Sequence, residues 1–164
     1  MRKKSFQIPW RLLTLLAGVT AGAVLRVWAA LDDFWLDEIM SLGLAQSISH
    51  PWEILTLHHD NNHLLNTLYL FLIGKQQNWV WYRTLSVVTG TASVAIIAYT
   101  TFRRDFLEAA TATVLVAFFY PLILYSSEAR GYAPAVLFSV TSFLFLQGYW
   151  QRRTFWQLML FWGS

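Results

Sequence analysis

The run LLTLLAGVTAGAVLRVWAAL, residues 12–31, passes directly into DDFWLDE, residues 32–38. A helix of that length, rising ~1.5 Å per residue, covers the ~30 Å hydrocarbon core of a bilayer. The run is therefore read as a first membrane-spanning helix, with the basic start Met1-Arg2-Lys3-Lys4 held in the cytoplasm. A cleaved signal peptide is the rival reading, because Ala21-Gly22-Ala23 and Ala29-Ala30 offer small residues for processing. The length of the run and the apolar character of the rest of the chain favour the span. Arg26, late in the run, is expected to snorkel to the interface. The second half of the quoted stretch puts four carboxylates into seven residues, Asp32, Asp33, Asp37 and Glu38. In so apolar a chain this cluster is read as a site.

Composition agrees with a membrane protein. The 164 residues are 56% hydrophobic and 13% charged, where soluble domains carry roughly 25% charged residues. Nine tryptophans suit membrane interfaces. The absence of cysteine excludes disulfides and thiolate metal sites. The net charge of +3 is spread in small groups at the ends of apolar runs, with no continuous basic face, so nucleic acid is not an expected partner.

Beyond the acidic stretch, Met40, Leu44 and Ile48 recur every fourth position, with Ile39, Leu42 and Ala45 beside them. This predicts an amphipathic helix from Asp37 to Ser49, lying along the membrane surface. His50-Pro51-Trp52 opens a short helix through Leu57, with the proline at its first position. The knot His58-His59-Asp60-Asn61-Asn62-His63 ends a first outer loop, residues 32–63.

Four further apolar segments come next: Leu64 to Gly74, extended by Lys75 to Trp81; Leu85 to Phe102; Phe106 to Tyr125, with a kink at Pro121; and Ala133 to Trp150. Phe155 onward looks like the start of another. The fold class is therefore all-α, a polytopic transmembrane helical bundle of about five to six membrane helices. Residues 1–164 are expected to be the N-terminal portion of a longer membrane domain. Arg103-Arg104 and Arg152-Arg153 both prefer the cytoplasm, which conflicts with a simple count of alternating spans. One segment must be re-entrant or the helices miscounted, and Leu64 to Trp81 is the suspect.

Phe34-Trp35-Leu36-Asp37-Glu38-Ile39-Met40-Ser41-Leu42, Asn61-Asn62-His63-Leu64-Leu65-Asn66, Tyr82-Arg83-Thr84-Leu85-Ser86 and Tyr125-Ser126-Ser127-Glu128-Ala129-Arg130-Gly131-Tyr132-Ala133 succeed one another in that order. This series resembles the polytopic glycosyltransferases of the GT-C fold, in particular the dolichyl-phosphate-mannose protein mannosyltransferase-like superfamily. The resemblance implies a transferase in a bacterial inner membrane. It would move a sugar from a polyprenyl-phosphate-linked donor to a lipid, glycan or protein acceptor on the non-cytoplasmic face. It also implies that Asp37 or Glu38 is the base, that Glu128 is a second acidic site residue, and that Arg130 meets the phosphate. His63 stands where the family carries His-Pro-Pro, although Leu64 and Leu65 come after it here.

The chemistry is consistent with those roles. A hydroxyl acceptor needs a carboxylate to take its proton, and a departing phosphate is well met by a bidentate guanidinium. Arg130 is the first candidate, with Arg83 or a bound divalent cation as substitutes. No other cofactor is expected, and there is no glycine-rich phosphate loop.

Plainer readings stand beside these. Asp37 can cap the surface helix. Asp32 and Asp33 can be solvated loop charges, and Glu128 with Arg130 can be a structural ion pair. His58, His59, Asp60 and His63 invite a metal, but their spacing is not a recognised cage. For the whole chain, the alternatives are a truncated or degenerate non-catalytic relative and a small membrane transporter. A transporter predicts acidic residues near mid-helix.

Overall fold

The computed structural model describes residues 10–164, so the basic N-terminal residues lie outside the described part. Eight α-helices, one short 3₁₀ helix and no strand are found among the described residues. They are α1 (Trp10–Ala29), α2 (Leu36–Ser47), the 3₁₀ helix Pro51–Thr56, α3 (Leu64–Ile73), α4 (Val80–Phe102), α5 (Phe106–Phe118), α6 (Tyr120–Ser127), α7 (Tyr132–Arg152) and α8 (Phe155–Gly163).

Three of these, α1, α4 and α7, are long and apolar enough to cross a membrane, and the bent pair α5–α6 makes up to four. Five to six are expected from the sequence, and for the segment that begins at Leu64 the difference has a local reason. α3 has 10 residues and stops at Gly74, whose φ of 61° is left-handed. The polar run Lys75-Gln76-Gln77-Asn78 then separates it from α4. α8 has 9 residues.

Helix α4 is the centre of the bundle and packs against α1, α5, α6 and α7. Its inner face is built from small residues, Ser86, Thr89, Gly90, Ser93 and Ala98 with Val94. Such residues let helix backbones approach closely where lipid supplies no hydrophobic drive for association. The buried hydroxyls turn back on their own helix, Thr89 to the Leu85 carbonyl at 2.8 Å and Ser93 to that of Thr89 at 2.9 Å. Gly90 marks the tightest approach, because a Cβ there would collide with Ser126 Oγ of α6.

The α5–α6 pair bends by 54° at a single break. Pro121 has no N–H to give the Ala117 carbonyl four residues before it, and Phe119 leaves helical geometry. Asp105 caps the other end of α5, accepting from Leu107 N–H at 2.8 Å and Glu108 N–H at 3.1 Å.

Arg26 does not snorkel. It is buried against the break, and its Nη1 donates to the Ala117 carbonyl at 3.2 Å and to that of Gly22 at 2.9 Å. Its Nη2 donates to Val116 at 3.1 Å. The carbonyls orphaned at the end of α5 attract the guanidinium more strongly than distant headgroups could.

The helix ends sort into two groups. Trp10 meets Phe106, and Arg104 meets Gln147, so the starts of α1 and α5 and the ends of α4 and α7 share one end with Arg103-Arg104 and Arg153. The opposite end gathers the end of α1, the starts of α2, α4 and α7, and the end of α6. The two clusters of carboxylates and arginines are assembled there.

Candidate functional site

Glu38 and Arg83 form the inner layer of this end. Both are fully buried. Glu38 Oε1 accepts Arg83 Nε at 2.8 Å and the Ala129 N–H, while Oε2 accepts Arg83 Nη2 at 2.6 Å and the Trp35 N–H at 2.9 Å. Arg83 uses its remaining donors on backbone carbonyls, Nη1 on Ala30 at 2.9 Å and Asp32 at 2.6 Å, and Nη2 on Asp33 at 2.7 Å. Its guanidinium also covers the Phe34 ring at 5.2 Å. All five guanidinium N–H groups and both carboxylate oxygens are thus occupied. This brace ties the end of α1, the start of α2, α4 and the turn at residues 128–131 together.

The brace also explains local structure in α2. Glu38, three residues after Trp35, reaches back to the Trp35 N–H and so ends the extended entry to the helix. Asp37 lies in the first turn and is not the cap. Because Glu38 is drawn inward, Ser41 and Ala45 follow it into the core, while Ile39 and Met40 face outward. The expected apolar stripe is therefore split, with Ala45 and Ile48 inside and Met40 outside.

Asp37 belongs to an outer layer. Its side chain is 48% exposed, and its Oδ2 lies 3.0 Å from Arg130 Nη1. Arg130 Nη2 donates to the Tyr132 hydroxyl at 2.9 Å, and Nη1 lies 3.7 Å from Glu128 Oε2, beyond hydrogen-bond reach. The turn that carries Glu128 and Arg130 is fixed by its backbone. Asn66 Nδ2 donates to the Ala129 carbonyl at 2.9 Å, and Ser86 Oγ donates to the Arg130 carbonyl at 3.0 Å. Gly131 lies flat against His63, and a Cβ there would collide with the His63 Cβ. The His63 ring meets Tyr132 edge-on at 5.1 Å, and Tyr125 closes on Tyr132 at 4.7 Å.

Burial shifts the titration of two groups at the rim. It holds the His63 imidazole below its usual pKa, and the nearby Arg130 cation adds to the effect. Burial also pushes the Glu128 carboxyl above its usual pKa. Arg130 opposes this, Glu38 and Asp37 add to it, and Arg83 opposes it. Four buried polar atoms around the turn have no protein partner: His63 Nε2, Asn66 Oδ1, Glu128 Oε2 and Arg130 Nε.

Asp37, Glu38, His63, Arg83, Glu128 and Arg130 therefore lie at one end of the bundle, but in two layers. Asp37, His63, Glu128 and Arg130 surround the turn, and Glu38 and Arg83 lie beneath. Asp32 and Asp33 contribute backbone carbonyls to the brace and leave their side chains exposed. Sequence reasoning missed Asn66, Ser86 and Tyr132, which position the turn. His58 and His59 face outward, each with its Nδ1 bonded to local backbone, and among the described residues no three His, Asp or Glu side chains converge as a metal site would require.

Compared with family models, with curated proteins and with solved structures, the chain matches none.

Proposed function

We propose that this end of the bundle is the acceptor and phosphate end of a membrane glycosyltransferase of the GT-C type, using a sugar carried on a polyprenyl phosphate. The observation that carries the reading is the Asp37–Arg130 pair, a half-exposed carboxylate 3.0 Å from a guanidinium whose Nε has no partner. In the proposed step the acceptor hydroxyl gives its proton to Asp37 as its oxygen bonds to the sugar's anomeric carbon. The bond from that carbon to the phosphate oxygen breaks, and the electron pair leaves with the phosphate. Arg130 exchanges the Asp37 carboxylate for the departing phosphate, which frees Asp37 as a base at the moment it is needed. Glu38 and Arg83 act as positioning residues, since neither has a donor or acceptor left for a substrate.

Four spans, α1, α4, α5–α6 and α7, support a sidedness as well. A cytoplasmic start to α1 then leaves Arg103-Arg104 and Arg152-Arg153 on the cytoplasmic side, and the cluster faces the other. This removes the conflict between the basic pairs and the helix count. The transporter reading is disfavoured by the placement of the acidic side chains, all of which lie in loops or first turns of helices among the described residues.

The test is transfer of radiolabelled sugar from polyprenyl-phosphate donors in membranes carrying the chain or its Asp37→Asn variant. A loss of ~10²- to 10⁴-fold in the variant, at equal membrane abundance, is expected for removal of a general base. Equal transfer by both chains overturns the role of Asp37, and no transfer by either favours the non-catalytic relative.

A further inference from the structure

Helix α3 is partly inverted for a helix in water. Its polar residues Asn66 and Thr67 are fully buried, Asn66 on the Ala129 carbonyl and Thr67 on Asn62 Oδ1 at 3.1 Å. Leu64, Leu65 and Leu72 face outward at 53%, 40% and 68% exposure, while Leu70 packs inward at 1%. The neighbouring 3₁₀ helix buries Ile54 but leaves the apolar Trp52 and Leu55 64% and 75% exposed. Between the two runs an apolar groove lined by Trp52, Leu55, Leu64, Leu65 and Leu68 among others. The sequence of α3, LLNTLYLFLI, carries no charge.

We propose that the 3₁₀ helix and α3 form a wedge immersed in one bilayer leaflet, at the Glu38–Arg83 end of the bundle, with a lipid hydrocarbon chain lying in the groove between them. Three features choose a lipid chain over water or a protein partner. The first is the inversion itself, because ~25 cal/mol per Å² of exposed apolar surface opposes such an arrangement in water. The second is chemical uniformity. The outward stripe Leu64, Leu65, Leu68 and Leu72 offers no hydrogen-bonding side chain, whereas a protein partner's surface is mixed. The third is length. Ten residues at ~1.5 Å cover ~15 Å, half of the ~30 Å hydrocarbon core.

Trp52, stacked on His50 at 4.3 Å, supplies the amphipathic ring that belongs at headgroup level. Leu64 directly follows His63, so a chain in the groove ends beside the polar cluster. The proposal rests on α1, α4 and α7 crossing the bilayer, and it stands whether or not the chain transfers sugar.

The chain has no cysteine, so single substitutions give unique spin-labelling sites. Leu55→Cys, Leu65→Cys, Asp60→Cys and Val27→Cys would be labelled and reconstituted in phosphatidylethanolamine and phosphatidylglycerol vesicles. Collision with oxygen, which concentrates in hydrocarbon, is compared with collision with a water-soluble nickel chelate. Oxygen is expected to dominate at positions 55 and 65 as it does at 27 on α1, and nickel at 60 in the polar knot. Nickel dominance at 55 and 65 overturns the wedge in favour of water. Protection from both reagents there overturns it in favour of a protein partner. Nickel dominance at 27 removes the membrane reading on which the wedge depends. All four positions point outward, and matching helical circular dichroism identifies any variant that fails to fold.

Discussion

Asp37 and Glu38 are adjacent in the chain, and each faces an arginine, yet the two pairs occupy opposite environments. Glu38–Arg83 is fully buried and saturated by backbone groups from three segments. Asp37–Arg130 is half open, with Arg130 Nε unpartnered. One residue of helical rotation, ~100°, turns the neighbouring carboxylate from the interior to the surface. A saturated pair can hold a shape but cannot exchange partners. An open pair can exchange partners but holds little. The division between a saturated pair and an open one is therefore drawn within a dipeptide.

The sharpest way to break the comparison is to remove half of the inner pair. Arg83→Ala or Glu38→Ala leaves a buried, uncompensated charge, and a loss of about 3–5 kcal/mol is expected. Unfolding in mixed micelles, followed by circular dichroism, checks this. The double variant Glu38→Leu with Arg83→Leu is expected to recover part of the loss, because no lone charge remains.

Arg26 asks whether saturation alone, without a carboxylate, makes an arginine structural. Arg26→Met exposes the Val116 and Ala117 carbonyls to an apolar surrounding, at about 1–3 kcal/mol for an unsatisfied buried group. Pro121→Ala in the Arg26→Met background restores an N–H for Ala117, and the cost of Arg26→Met is expected to be smaller there than with Pro121 in place. Equal costs in the two backgrounds would separate the arginine from the helix break.

For the outer pair, Asp37→Asn is expected to change stability by no more than about 1 kcal/mol, as partly exposed ion pairs do. The same micelle unfolding measures it. A loss as large as that of Glu38→Ala would erase the distinction between the layers.

The smallest effects are in pH dependence at the rim. Glu128 in the folded chain keeps its proton to a higher pH than the unfolded carboxyl, ~4.3. Stability therefore falls as pH rises from the unfolded to the raised folded value, and Glu128→Gln should remove that fall. His63 has the opposite sign. Its folded pKa is below the unfolded ~6.5, so its contribution is fully present above that value and is lost as pH falls through the lowered one. His63→Asn should flatten this acid limb.

The long helices are legible in the sequence because a stretch of eighteen or more predominantly apolar residues with few charges has one principal reading, and α1, α4 and α7 match it. The bend at Pro121 is legible because a missing N–H has a fixed effect on the carbonyl four residues earlier. Depth and pairing are not legible. The apolar run Leu64 to Gly74 reaches spanning length only if Lys75 to Trp81 continue it, whereas Gly74 and the polar run after it end the helix. Those residues were the available signal. Arg26 reads the same on paper whether its head reaches headgroups or carbonyls, since its partners come from residues 116 and 117. The polar motifs group at one end, but nothing in the order of Asp37 and Glu38 tells which one faces inward. That is decided by Arg83 and Ala129, 45 and 91 residues away.

Those separations carry a consequence for biogenesis. As the chain emerges from a ribosome, Glu38 appears first, Arg83 comes after α3 and the first turn of α4, and the N–H of Ala129 arrives only after α5 and α6. For that interval Glu38 Oε1 lacks its last donor, and only the Arg83 side chain ties the start of α2 to another helix, beside the local Trp35 N–H bond. The 128–131 turn acts as the closing latch of the nascent bundle, and the open pair, carried on the same turn, is assembled last.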